Sequence, residues 1–314
     1  MKKDNQSCLD EIDLLGFSDF QSMRELLFCL VLMFYLMTLM GNSLILILII
    51  LNPTLHTPMY FFLWNLSFLE IGYTSTISPK MLMILVSENQ TISFWGCGCQ
   101  MCFFILFGLA ECCLLCVMSY DRYVAICKPL QYPCIMKYRK CAMFAAVSWA
   151  IGVFVSLGQS VSIFTLPFCG SNRINYFFCD IKHVLKLAST DTYKDELAIA
   201  ILITLIILTP LLFILFSYIL IIPTILNMPG AKNRSKAFST CSSHLTVVCI
   251  FYGTAIVTYI RPNSEYSMNR SRFLGLLYTV VTPSLNPLIY SLRNKEIKAA
   301  FKKFVARRQA SFMG

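Results

Sequence analysis

Charge is what this chain has least of. Asp, Glu, Lys and Arg make up 13% of its 314 residues, against 57% hydrophobic residues. A soluble domain carries about 25% charge, so the deficit excludes an ordinary water-soluble globule. Histidine is nearly missing too. His56, His183 and His244 are the only three and sit near the ends of apolar runs. That leaves no base–nucleophile pair at one depth, as a membrane hydrolase would want. The ~10-residue alternating segments of a barrel are absent, as is any internal repeat suggesting a two-halved transporter. The first 24 residues hold Lys2, Lys3, Asp4, Asp10, Glu11, Asp13 and Asp19 and no apolar core of signal-peptide type. The first membrane helix is therefore expected to act as the insertion signal.

What is present is seven long apolar stretches, at about 25–51, 58–84, 94–127, 140–165, 195–226, 236–261 and 270–291. A spanning helix needs ~20 mostly apolar residues, and lipid forces the backbone to satisfy itself within helices. The expected fold is an all-α membrane protein, a seven-transmembrane helix bundle. One side collects Arg122, Lys128, Lys137, Arg139, Lys140, Lys232, Arg234, Lys236 and seven tail bases from Arg293 to Arg308, against the acids Asp121 and Glu296. The positive-inside rule puts this side in the cytosol and the N-terminus outside. The expected division is an extracellular segment 1–24, a helical domain 25–291 and a cytosolic tail 292–314. In that tail Ile297, Ala300, Phe301, Phe304 and Val305 recur at helical spacing among bases, as in a short amphipathic helix lying on the inner leaflet. The bases are scattered over short loops, which argues against nucleic acid as a partner. Asn5-Gln6-Ser7 reads as a glycosylation acceptor on the outer side.

Fifteen cysteines mark a disulfide scaffold only in a small secreted chain. Cys29, Cys112, Cys113, Cys116 and Cys249 lie inside apolar runs and read as small core residues. Gly41 allows close helix packing, and Pro79 is expected to kink or end the second helix. The connection 166–194 reads as long, polar and extracellular.

Two carboxylates, Glu70 and Glu111, stand inside apolar runs, where ionisable groups are costly and functional by default. Counted from the inner helix ends, both sit ~17 Å deep at 1.5 Å per residue. Two carboxylates at one depth cannot both stay ionised without compensation. Either a monovalent cation such as sodium or a shared proton is required, with Asn42, Ser284 and Asn286 able to complete an oxygen-rich site. No other cofactor is expected. At the inner end of the third stretch the acid–base neighbours Asp121 and Arg122 read either as a snorkelling interfacial pair or as a releasable latch.

Several strings settle that choice. Asp121-Arg122-Tyr123 and Asn286-Pro287-Leu288-Ile289-Tyr290 resemble the signatures of rhodopsin-like G-protein-coupled receptors. Pro58 to Leu63, Met118 to Cys127, Ser217-Tyr218, Lys236 to Leu245 and Pro283 to Asn294 narrow the resemblance to vertebrate odorant receptors. It covers the chain from about residue 20. Ser119 stands where that family usually has Ala, Ser189 where it usually has a third loop cysteine, and Lys182-His183 where a proline pair is usual.

The resemblance implies a disulfide from Cys97 to Cys179, leaving Cys169 as a free thiol or otherwise paired. It implies that Arg122 meets a stimulatory, olfactory-type G protein that raises cAMP, that Tyr218 and Tyr290 hold the active state, and that His244 contacts the Arg122 region at rest. It also implies a multi-pass plasma-membrane protein of olfactory sensory cilia, and no enzyme. The ligand site is expected in the outer half of the bundle, among Phe104, Ile105, Gly108 and Leu109, then Leu202, Ile203 and Ile206, then Tyr252, Ala255, Ile256 and Tyr259, with Thr279. No acid on that part of the third helix argues against an amine ligand, and no lysine in the seventh excludes a retinal Schiff base. A small, uncharged, hydrophobic volatile suits such a site. Tyr259 or Tyr252 is the expected hydrogen-bond donor, with Thr279 and Gln159 behind them. A transporter or channel reading would need a polar path, for which only Glu70 and Glu111 are available.

Overall fold

The computed structural model describes residues 9–17, 21–87, 90–259 and 268–312; Asn5 lies outside them. Seven long helices form the bundle: α1 Arg24–Leu51, α2 Pro58–Val86, α3 Phe94–Cys127, α4 Tyr138–Phe164, α5 Tyr193–Leu226, α6 Ala231–Tyr259 and α7 268–293. Helix α8, Lys295–Phe312, follows. Six of the seven are long and apolar enough to cross a membrane. Helix α2 is long enough at 29 residues but carries Asn65, Ser67, Glu70, Thr74 and Ser78, all buried. Its polarity faces the bundle, not lipid, so composition alone undersells it.

Local chemistry sets the ends. Pro58 occupies the first turn of α2, where its missing N–H costs nothing. Ser93 caps α3 by accepting from the Gly96 N–H at 3.1 Å. Pro79 does not end α2, which continues to Val86; in the bundle its neighbours hold the helix through the gap. A Cβ on Gly41 would fall 2.9 Å from the Pro287 Cβ, and one on Gly152 2.7 Å from the Leu106 carbonyl oxygen. Glycine at these two sites lets α1 approach α7 and α4 approach α3. Helix α7 carries a π-helical turn, Leu277–Val281, whose i→i−5 geometry appears in the Thr282 backbone N–H, which donates to the Leu277 carbonyl.

Two sequence expectations need correction. Cys29 and Cys249 are exposed on the bundle's perimeter, whereas Cys112 is buried. The connection between α4 and α5 is no polar loop. Ile174, Tyr176, Phe177, Phe178, Ile181, Val184 and Leu185 are buried in it. It contributes strand β3, Arg173–Ile174, to a three-stranded sheet. Strand β1, Glu11–Leu14, is the centre of that sheet, antiparallel to β2, Thr91–Ser93, and parallel to β3. Alternation in β1 buries Ile12 and Leu14, and Phe17 beyond it stacks on Phe177 at 5.7 Å. The buried Arg272 of α7 donates to the Asn175 side chain. A cap of chain therefore closes one end of the bundle, held to α3 by the Cys97–Cys179 disulfide.

Helix α8 buries Ile297 and Ala300 and leaves Phe301 and Val305 exposed. Tyr60 at the start of α2 ties it down by donating to Glu296 Oε2 at 2.8 Å.

Candidate functional site

Under the cap, α3, α4, α5, α6 and α7 line a cavity of about 80 Å³. Phe104, Ile105, Gly108 and Leu109 line it from α3, Ile203 and Ile206 from α5, and Ala255 and Tyr259 from α6. Leu202, Tyr252, Ile256 and Thr279 are not among the lining residues. Leu202 is one residue, hence about 100°, round the helix from Ile203 and is exposed on the outside of the bundle. The Tyr252 hydroxyl bonds to the Cys112 carbonyl at 3.2 Å, and Thr279 turns back to its own helix, to Gly275 O at 2.8 Å. Cys112, Gln159, Ile181, Ile207, Phe251 and Tyr278 complete the wall. Ile181 was foreseeable: it lies two residues past Cys179, which the disulfide pins over α3. Tyr278 was not, because the π-helical turn sets its direction.

Tyr259 roofs the cavity but its hydroxyl is already committed. It donates to Asp180 Oδ2 at 3.0 Å. Lys182 Nζ donates to the Tyr259 carbonyl at 2.9 Å and lies 5.6 Å from its ring centroid. The Lys182 N–H donates to Asp180 Oδ1 at 3.0 Å, and His183 Nδ1 stands 3.5 Å from that same oxygen. Burial works to raise the Asp180 carboxyl's pKa, but His183, Lys182 and the backbone N–H together outweigh it and leave it below the ordinary value. For Lys182, burial dominates and lowers the ammonium.

In mid-bundle Glu70 and Glu111 face each other. The Asn286 amide donates to Glu70 Oε1. Glu70 Oε2, Glu111 Oε1 and Asn286 Oδ1 are buried with no protein partner. Asn42 and Ser284 bond elsewhere, to Thr38 O at 3.1 Å and Val281 O at 2.6 Å.

At the opposite end a cavity of about 690 Å³ opens, lined by Arg122, Lys232, Lys236, His244 and Tyr290 among others. Arg122 pairs with Asp121, which also accepts from Tyr132 at 2.8 Å. His244 does not bond Arg122. Its Nε2 faces the Leu115 carbonyl at 3.2 Å and must carry the proton, so Nδ1 accepts from Tyr218 at 2.9 Å. His244 thus bridges α3, α5 and α6. The Tyr290 hydroxyl is buried without a partner. Tyr123 lies part-buried beside Tyr120, ring centroids 6.4 Å apart, and Pro287 fills the notch at Gly41.

The olfactory receptor sequence model matches residues 28–308. The chain belongs to the olfactory receptor family. Human olfactory receptor 10A4 is 52% identical to it over 308 residues, 98% of each chain. Human olfactory receptor 10C1 is 50% identical over 303 residues, 96% of this chain and 97% of the relative. Human olfactory receptor 10AG1 is 47% identical over 297 residues, 95% and 99% respectively. The molecule is an odorant receptor of the plasma membrane that couples to a G protein, and not an enzyme. For the receptor, the absence of the usual third loop cysteine now has a structural counterpart. Cys169 is a free thiol, and its backbone N–H donates to Ser189 Oγ at 2.8 Å.

Proposed function

We propose that the receptor displays its disulfide-bonded cap outside the cell, takes a small uncharged hydrophobic volatile into the 80 Å³ cavity, and activates a stimulatory olfactory-type G protein at the Arg122 end, raising cAMP in olfactory sensory cilia. The supporting observation is the cavity wall, which has no charged side chain. Drug-sized ligand pockets run to about 300–1,000 Å³, so this one selects for small size. Helix α6 links the two ends. Ala255 touches the cavity, and His244, the three-helix bridge, lies 11 residues away on the same rod, about 16 Å at 1.5 Å per residue. A ligand that packs better against one setting of α6 biases that setting.

The unpaired oxygens of Glu70, Glu111 and Asn286 fit a monovalent cation, and sodium there would hold the resting arrangement by neutralising one carboxylate while the other keeps its proton. Its measurement is odorant dose response across sodium concentration. A receptor and a Glu111→Gln variant that both ignore sodium would remove this part.

Transfected cells displaying the receptor are expected to raise cAMP to some member of a volatile panel. Flat cAMP from well-displayed receptor, together with solute flux in liposomes, would replace this reading with a transport function.

A further inference from the structure

We infer that Gln159 is the polar specificity residue of the cavity and that the receptor's preferred ligands are neutral carbonyl compounds: ketones, aldehydes or esters. The assignment rests on the odorant-binding reading of the cavity and adds the ligand's functional group.

Five hydrogen-bonding side chains are at hand on α4, α6 and α7: Gln159, Tyr252, Tyr259, Tyr278 and Thr279. Three are spent. Tyr259 is held by Asp180, Tyr252 by the Cys112 carbonyl and Thr279 by Gly275. Tyr278 stands edge-on to Tyr73, ring centroids 6.1 Å apart, and Cys112 offers only a weak thiol donor. Gln159 alone among these lines the cavity with a buried amide nitrogen that has no partner. A buried donor left unmade costs free energy, and a ligand acceptor removes that cost. The terminal torsion of a Gln side chain is broad and roughly two-fold, so the amide can turn its N–H₂ toward a guest without moving α4. The rest of the wall is apolar, which suits the alkyl part of the same molecule. A charged ligand finds no counter-ion among the lining residues, so carboxylates and amines enter only at a desolvation cost.

The test uses isosteric pairs that differ only at the acceptor: 2-pentanone against 2-methyl-1-pentene, then the next three homologues of each. Thermal stabilisation of the purified full-length receptor and cAMP in transfected cells are both read. The ketone is expected to act at ~5-fold lower concentration than its alkene, the equivalent of one net hydrogen bond. Gln159→Met, similar in shape and without a donor, is expected to erase that ratio, whatever the shift in absolute potency of the two compounds. Equal potency of ketone and alkene on the wild-type receptor overturns the Gln159 assignment and leaves the cavity reading standing; this arm needs no variant to fold. A ratio that survives in a well-displayed Gln159→Met receptor overturns it as well. Failure of every pair to stabilise or activate the receptor counts against the cavity itself.

Discussion

The Tyr259 hydroxyl donates to Asp180 Oδ2 at 3.0 Å, and this bond joins the end of α6 to the cap immediately above the 80 Å³ cavity. Tyr259 is thus a structural tie that lines the cavity with its hydroxyl already committed to the cap. Tyr259→Phe keeps the ring and deletes a hydrogen bond to a buried carboxylate, a contact worth ~1.5–3 kcal/mol. The expected outcome is a lower melting temperature of the purified receptor by several degrees with unchanged ranking of odorants. A reordered ranking would return the hydroxyl to the ligand.

The same carboxylate gives the cap a dependence on acid. Asp180 lies below its ordinary pKa of 3.8 in the folded protein. A group lowered on folding stabilises above its unfolded value, and that contribution is lost as pH falls through the folded one. The stability gap between wild type and Asp180→Asn is therefore expected to be full at pH 6 and to shrink below pH ~3.8. Melting curves of both proteins at pH 6 and pH 3 measure it.

Ser189 sits against the backbone of Cys169, Oγ to N at 2.8 Å. Ser189→Cys is expected to close a bridge to Cys169. Non-reducing peptide mapping should show the two peptides linked and one pair of thiols gone. Closing a loop of this length adds about 3 kcal/mol in the chain-entropy account. A variant with both thiols still free would show that the two side chains diverge.

His244 holds α6 to α3 and α5 through two hydrogen bonds of 3.2 and 2.9 Å. At ~1 kcal/mol each, their loss in His244→Ala shifts the resting balance of states by roughly 30-fold. Raised cAMP without odorant is the expected outcome, read at matched surface expression. A quiet His244→Ala receptor would place the restraint elsewhere.

The helices were legible because lipid leaves the chain one way to satisfy its backbone. Helix α3 runs from Phe94 to Cys127, the bounds of its apolar run. Depth was legible too, since rise per residue alone brings Glu70 level with Glu111. Direction round a helix was harder. Leu202 and Ile203 are equally apolar, and only packing decides which faces inward. The π-helical turn in α7 leaves no mark in composition, so nothing in the sequence singles out Tyr278. The cap was least legible. The polar residues around Cys169 and Cys179 outweigh Phe177 and Phe178 to the eye, yet those aromatics are buried, Phe178 against Phe104 of α3 and Phe177 against Phe17, just past strand β1.

That strand sets an order on assembly. Strand β1 precedes every helix, but its parallel partner, Arg173–Ile174, follows four of them. Until α4 has been threaded through the bilayer, one edge of β1 has nothing to pair with, and an unpaired edge is an invitation to association. The earliest-made segment of the receptor thus waits on a late one, and a chain that stalls midway advertises the fact on its surface.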